Sequence, residues 1–141
     1  MPVTDDEVAA LRAHLQGNQA LQQELYERVT PAYSTLVTAA FLEAVTRRFG
    51  GRDSAAEVIE YVADVRARSP KLGQQIDPNA AERVIRRVLA DVDVSDISSR
   101  VKGQIYIIFL VAMVSDAEYD DDQLEAFLTV ARKAADDALE H

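Results

Sequence analysis

The sequence of 141 residues contains no cysteine and no tryptophan. The absence of cysteine excludes disulfides, thiolate zinc sites and cysteine nucleophiles, and it fits a cytoplasmic protein. Serine nucleophiles also lack support, because no serine lies in a glycine elbow or has a histidine base nearby. A Gly-Lys-Ser or Gly-Lys-Thr phosphate loop is missing as well. We therefore predict a cytoplasmic protein that is not an enzyme and has no cofactor.

Long hydrophobic segments are scarce too. The longest apolar run, residues 105–114, has ten residues, about half of the ~20 needed to span a bilayer. The first seven residues, MPVTDDE, contain no basic and apolar signal for secretion. We expect a chain that neither spans a membrane nor is exported by that route.

Basic residues are outnumbered by acidic residues. The chain has 15 basic and 24 acidic residues, giving a net charge of -9, of which residues 101–141 contribute -6. Such a C-terminal segment repels phosphate backbones and anionic lipids, and no helix-turn-helix or other nucleic-acid motif is recognisable. We expect neither nucleic acid nor a membrane as a partner.

The apolar run at residues 105–114 dominates the predicted fold. Its Ile, Val, Tyr and Phe residues also suit a buried strand, but the rest of the chain has helical periodicity and would leave a strand unpaired. A helix that is apolar on every side has to be surrounded by other elements. We predict an all-α fold, a single compact bundle of six or seven helices around a central helix at about residues 99–114.

Helix starts are marked by capping signals at Thr4, Asn18, Thr30-Pro31, Ser54, Asp77-Pro78 and one of Asp120 to Asp122. Between them, residues 69–76 contain Pro70 and Gly73 and are predicted to be an irregular connector. We assign residues 1–138 to one helical domain, with 1–29 as an N-terminal helical arm. Residues 139–141 match the start of a histidine tag and are interpreted as an expression-tag remnant.

The loop 116–122 is the most concentrated group of acidic residues in the sequence. Carboxylates of Asp116, Glu118, Asp120 and Asp122 are hard oxygen ligands of the kind that calcium and magnesium prefer. As an EF-hand loop the segment fails, because Asp121 stands at the position of the turn glycine. The alternative is that these acids cap the next helix and interact with its positive end.

Arginines cluster on the outer face of the predicted fifth helix. These arginines, Arg83, Arg86 and Arg87, are candidates for binding a phosphate or an acidic partner. The alternative is a solvated face whose arginines pair with Glu82 and with neighbouring helices.

No catalytic constellation emerges, so our leading hypothesis is a helical protein-interaction or adaptor domain that binds a protein partner or self-associates as a homodimer. One alternative is a divalent-cation-binding domain that uses the acidic loop. Another is a helical domain that binds a small apolar ligand in a pocket between the third and sixth predicted helices.

Overall fold

The computed structural model describes residues 2–140, and within that range it contains eight α-helices and no strand. The all-α prediction is confirmed, with one helix more than the upper predicted number. The helices are α1 (Asp5–Leu15), α2 (Gln19–Tyr26), α3 (Ala32–Phe49), α4 (Ala55–Arg66), α5 (Pro70–Gln75), α6 (Pro78–Ala90), α7 (Ser99–Ala117) and α8 (Asp121–Leu139).

The apolar run lies in α7 and is helical, as predicted. Six of its ten residues are buried, and the other four are half-buried. Three of the half-buried residues, Ile107, Ile108 and Val111, lie on one side of the helix. Water therefore reaches part of one side of α7, and the expectation of cover on every side is met only in part.

Local capping bonds start most of the helices where the sequence predicts. The hydroxyl of Thr4 accepts a bond from the Glu7 amide at 3.1 Å, and the Glu7 carboxylate accepts one from the Thr4 amide at 2.9 Å. The Asp120 carboxylate accepts from the Gln123 amide at 2.8 Å, and Gln123 accepts in return from the Asp120 amide. Each reciprocal pair satisfies amides that a helix terminus otherwise leaves unbonded.

The prediction of an irregular connector at residues 69–76 was wrong, because residues 70–75 form α5. The hydroxyl of Ser69 caps this helix by accepting from the Leu72 amide at 3.1 Å, and Pro70 suits its first turn. At the other end, the Arg66 guanidinium donates to the carbonyls of Gly73 at 2.9 Å and Ile76 at 3.0 Å. Arg66 thus supplies the donors that the end of a short helix needs.

The chain divides into two compact units whose boundaries fall inside α3 and α7. Unit 1 comprises residues 1–43 and 113–141, and unit 2 comprises residues 44–112. Unit 1 holds 4 basic and 15 acidic residues, a net charge of -11, whereas unit 2 holds 11 basic and 9 acidic residues, a net charge of +2. The negative charge of the chain therefore resides in unit 1. The assignment of residues 1–138 to one domain stays a prediction.

Unit 1 joins the beginning of the chain to α8. The Val3 amide donates to the Asp136 carboxylate at 2.7 Å, and Arg132 donates to Asp5 and to the Val3 carbonyl, each at 2.8 Å. Val3 itself is buried. These bonds, together with the Arg12–Glu125 ion pair, build α1 into unit 1, while the neighbouring α2 buries only Leu25.

Glu7 is a fully buried carboxylate at the start of α1. Besides the Thr4 amide, it accepts hydrogen bonds from the amide and the hydroxyl of Thr30, both at 2.9 Å. Burial alone would raise the pKa of Glu7, but the bonds from Thr4 and Thr30 outweigh it and hold the pKa below its usual value. Burial, with the nearby charges of Tyr26 and Glu7, raises the pKa of Tyr33 to about 12. The ionised Glu7 carboxylate thus links the start of α1 to Thr30, which lies just before α3.

Unit 2 is built around aromatic contacts. The Tyr61 ring lies 5.9 Å from the Phe49 ring in an edge-on arrangement and 6.1 Å from the Phe109 ring, centroid to centroid. Aliphatic side chains of α4 and α6 complete the buried set: Val58, Val62, Val65, Val84 and Ile85. Such ring pairs add to the hydrophobic stabilisation of burial.

Two further predictions concern the tag remnant at residues 139–141 and the lack of a membrane-spanning helix. Of the predicted tag remnant, Leu139 closes α8, while His141 lies outside the described residues. No helix in the described range 2–140 has the length and apolar character required to cross a bilayer.

Candidate functional site

The structure does not gather the acidic loop into an ion site. Asp116 and Glu118 lie at and just beyond the end of α7, Asp120 caps α8, and Asp122 is in the first turn of α8; all four are exposed. Between Pro2 and Glu140, no group of three or more His, Asp or Glu side chains is close enough to hold a metal ion. Since Asp120 already accepts from the Gln123 amide, the capping alternative describes it fully. The cation site stays a prediction without geometric support.

The three arginines of α6 each bind an aspartate of the same chain. Arg83 donates two bonds to Asp96, Arg86 donates two bonds to Asp53 at 2.9 and 2.8 Å, and Arg87 pairs with Asp91 at 2.6 Å. The arginines do form intramolecular pairs, but with these aspartates in place of the expected Glu82. Their role as partner-binding residues stays a prediction, and their paired charges give it no support.

A groove of about 670 Å³ lies on the surface of unit 2. We call it the charged groove. It is lined by three arginines, three acids and two buried rings with the adjoining glycine, namely Arg47, Arg48, Phe49, Gly50, Arg52, Glu57, Glu60, Tyr61 and Asp64.

Two glycines shape the charged groove by reversing the chain between α3 and α4. Gly50 and Gly51 have φ values of 65° and 72°, in the left-handed region that other residues avoid. Ser54 then caps α4 by accepting from the Glu57 amide at 3.3 Å. Arg86 fixes the reversing loop through Asp53, and this hydrogen bond lowers the pKa of the Asp53 carboxyl. The end of α3 and the start of α4 therefore become the two walls of one groove.

The arginine wall is formed by Arg47, Arg48 and Arg52. The Arg48 guanidinium lies 5.1 Å from the Phe49 ring centroid and 4.8 Å from that of Tyr61. These cation–π contacts hold its side chain in place without neutralising its charge. Among the residues from 2 to 140, no carboxylate forms an ion pair with Arg48 or Arg52.

The acidic wall is one face of α4. Glu57, Glu60 and Asp64 follow each other at spacings of three and four, which places them side by side on a helix. Asp64 pairs with Arg68 at 2.8 Å. Glu57 and Glu60 are exposed, and no basic side chain in the described part of the chain forms an ion pair with either.

An apolar stripe runs along α4 beside the acidic wall. It consists of Ala56, Ile59 and Ala63, all exposed, and Ile59 exposes 50% of its surface. Its members are three and four residues apart and share one side of the helix. The exposed half of α4 thus combines a hydrophobic strip with a row of carboxylates.

A second concavity in unit 1 is smaller and apolar. Its volume is about 240 Å³, and small residues of α3 and α8 such as Thr38, Ala39 and Ala134 line it together with Leu42. Cavities that enclose small ligands usually measure about 300–1,000 Å³. This concavity lies between α3 and α8, whereas the apolar-ligand hypothesis places its pocket between α3 and the helix now numbered α7, so that hypothesis stays a prediction.

Sequence reasoning missed the charged groove, since none of its charged residues was among the predicted site residues. A signal was present nonetheless: two basic residues precede the Gly50-Gly51 reversal, a third follows it, and an acidic face begins three residues after Ser54. No protein-family model, curated protein or solved structure matches the chain. The candidate site therefore rests on the geometry of the charged groove alone.

Proposed function

We propose that this chain is a non-enzymatic, cytoplasmic protein-interaction domain and that the charged groove, with the apolar stripe of α4, is its contact surface. One observation carries the proposal: Arg48 and Arg52 on one wall and Glu57 and Glu60 on the other form no ion pair within residues 2–140, and the exposed Ile59 lies on the same helix as the acidic wall. A hydrophobic strip with charged flanks is typical of interaction surfaces.

The mixture of signs favours a protein as the partner. A nucleic acid or an anionic lipid surface would be attracted by Arg48 and Arg52 but repelled by Glu57 and Glu60. A protein segment carrying both lysines or arginines and carboxylates can satisfy both walls at once. The acidic wall is open to solvent, whereas catalytic carboxylates are usually desolvated, so binding suits the geometry better than catalysis.

The groove is also organised in advance. Arg48 is held against two buried rings, and the loop carrying Arg52 is anchored by the bidentate Arg86–Asp53 pair. Side chains that are already ordered lose less entropy on binding, which strengthens the complex that they form.

The test is affinity capture from a lysate of the organism that encodes the chain, quantified by mass spectrometry. Variants Arg52→Glu and Glu60→Lys each reverse one wall. Their matched controls are Arg100→Glu and Glu24→Lys, which reverse exposed residues that form no ion pair within residues 2–140. We expect both controls to retain the proteins captured by the wild type, further copies of the chain included, and both wall variants to lose them.

Equal capture by the wall variants and their controls would refute the proposal. A wild-type chain that captures no protein and does not bind itself would refute it as well.

A further inference from the structure

We infer that the partner of the proposed contact surface is an amphipathic helix of another protein, with its apolar face on the apolar stripe of α4 and a basic edge against the acidic wall. The inference rests on the proposed function and specifies the chemistry of its partner. It depends on the order in which the stripe, the acidic wall and the charged groove follow one another around α4.

That order follows from the helical repeat. At about 100° per residue, the apolar stripe and the acidic wall are centred roughly 100° apart around the axis of α4. Tyr61, which lines the charged groove, lies on the far side of the acidic wall from the stripe. The acidic wall therefore separates the stripe from the groove and forms one edge of each.

The apolar stripe suits the packing of a second helix. Ile59 exposes 50% of its surface at the middle of the stripe, and exposed alanines at 56 and 63 lie on the adjoining turns. The alanines leave room beside Ile59 for the side-chain ridge of another helix, whose axis can then approach to about 8–10 Å. From Ala56 to Ala63 the stripe measures about 10 Å, or two turns, which matches the apolar face of a helix with anchors at i, i+3, i+4 and i+7.

Charge flanks the stripe on one side only. Glu60 lies beside the stripe and Glu57 beyond it, both exposed and without an ion pair in the described part of the chain. On the opposite side of the stripe, the Arg66 guanidinium is already bound to two carbonyls at the end of α5. A helix on the stripe therefore meets unpaired carboxylates along one edge, and lysines or arginines at that edge complement them.

The arginine wall extends this pattern across the groove. The Arg48 guanidinium lies 4.8 Å from the Tyr61 ring centroid, so it is across the acidic wall from the stripe. A carboxylate next to the basic edge of the partner can pair with Arg48 or Arg52. The partner therefore presents apolar, basic and acidic groups in that order across its contact face.

The same order of charges disfavours other occupants. A two-fold axis crossing α4 would set the acidic wall of one copy against the acidic wall of another copy. Phosphate backbones and anionic lipids would likewise meet Glu57 and Glu60 beside the stripe. Charge complementarity thus selects a helix from a different protein, and the net charge of -9 adds long-range attraction for its basic edge.

Two synthetic helices test the inference by fluorescence anisotropy. Each has about 20 residues, which is long enough for an alanine-rich peptide to be helical by itself, and leucines at i, i+3, i+4 and i+7. One, the lysine helix, has lysines along one edge of the leucine face, and the other, the glutamate helix, has glutamates at the same positions. We expect the wild type to bind the lysine helix at least about tenfold more tightly than the glutamate helix. Equal affinities would overturn the inference.

Matched variants separate the proposed contact from the effect of net charge. Glu60→Lys and Glu24→Lys change the net charge equally, but only Glu60 lies beside the stripe. We expect Glu60→Lys to weaken the lysine helix and to strengthen the glutamate helix by at least about threefold each, and Glu24→Lys to change either affinity by less than about twofold at physiological salt. A damaged fold could not strengthen binding of the glutamate helix. Equal effects of the two variants would overturn the proposed contact.

The role of the stripe is tested with the same peptides. Ile59→Lys should abolish binding of the lysine helix, because it places a charge in the apolar contact. Val130→Lys is the control, at a residue of α8 exposed to 42%, and should leave binding intact. Binding that survives Ile59→Lys would overturn the inference. A wild-type dimer that Ile59→Lys dissociates in sedimentation equilibrium would do so too, since a second copy would then occupy the stripe.

The two proposals fail separately. If the wild type does not bind the lysine helix at millimolar concentration, the helix inference is overturned. If Glu60→Lys nevertheless loses captured proteins that Glu24→Lys retains, the contact surface stands with a partner of different chemistry. If capture does not differ between these variants, both proposals are overturned.

Discussion

Replacing Glu7 by Gln removes one negative charge from a fully buried site while keeping the size of the side chain. The carboxylate accepts three hydrogen bonds from outside its own residue, one from Thr4 and two from Thr30. A glutamine amide has one oxygen to accept and an NH₂ group that only donates. In either orientation of the amide, at least one N–H donor of Thr4 or Thr30 faces another donor.

The expected loss follows from those bonds. Leaving a buried donor unsatisfied costs about 1–3 kcal/mol, and weakening the remaining charge-assisted bonds adds to it. We expect Glu7→Gln to lower the free energy of unfolding by about 2–3 kcal/mol, or the melting temperature by about 6–12 °C for a chain of this size. Glu7→Ala, which abandons all three bonds, should cost about 3–5 kcal/mol.

The loss should depend on pH in a definite direction. The hydrogen bonds from Thr4 and Thr30 hold the pKa of Glu7 in the folded chain below its ordinary value, despite the opposing effect of burial. The unfolded chain therefore takes up a proton at a higher pH than the folded chain does. The charge-linked stability is complete above the unfolded pKa and is lost as the pH falls through the folded pKa. The difference in stability between the wild type and Glu7→Gln should be largest near neutral pH and shrink as the pH falls through the pKa of Glu7 in the folded chain.

Urea denaturation followed by circular dichroism, repeated from neutral to acidic pH, measures this gap. Glu24→Gln is the matched control, because Glu24 is an exposed residue of α2 and its replacement should change stability by less than about 0.5 kcal/mol. If Glu7→Gln were as stable as this control at neutral pH, or if its deficit grew on acidification, the assignment of Glu7 as an ionised link between α1 and α3 would be wrong.

Other substitutions test the backbone, the capping residues and the core by thermal or chemical denaturation. Gly103→Ala should stabilise the chain by about 0.5–1 kcal/mol, because Gly103 lies inside α7 with open space at its Cβ position. Gly51→Ala should instead destabilise it by about 1–2 kcal/mol through its left-handed φ, and equal effects of the two changes would contradict this. Asp120→Ala should cost about 1 kcal/mol equally in calcium and in EDTA as a lost cap, whereas a calcium-induced rise in melting temperature that this variant abolishes would identify an ion site. Phe109→Ala should cost about 3–5 kcal/mol by emptying a fully buried position beside Tyr61, and a loss below 1 kcal/mol would be inconsistent with that packing.

Helix starts could be predicted from the sequence because a cap acts over three residues. The signals at Thr4, Asn18 and Asp120 all correspond to observed side-chain caps. The same reasoning failed at α5, where Gly73 was interpreted as a breaker although Ser69-Pro70 is also a cap followed by proline. A Cβ at Gly73 would lie 3.3 Å from the Arg66 carbonyl, so close packing against α4 accompanies glycine at this position. That constraint comes from the packing of α5 against α4, so the local sequence around Gly73 does not reveal it.

The candidate site could not be predicted in the same way, because it depends on which charges are paired. Arg86 binds Asp53 across 33 residues and Arg83 binds Asp96 across 13, so their pairing follows from the fold. Glu7 shows the same limit: its capping role is visible in the sequence, but the bonds from Thr30, 23 residues away, are not. Local chemistry therefore predicted the helices, and only the structure separated paired from unpaired charges.

The hydrogen bonds between the N-terminal segment and α8 can form only late in the synthesis of the chain. Val3 bonds with Asp136 across 133 residues and with Arg132 across 129. A ribosome adding about 5–20 residues per second delivers all of residues 44–112 before α8 exists. The bonds from Val3 and Asp5 to α8 can therefore form only after residues 44–112 and α8 itself have been synthesised.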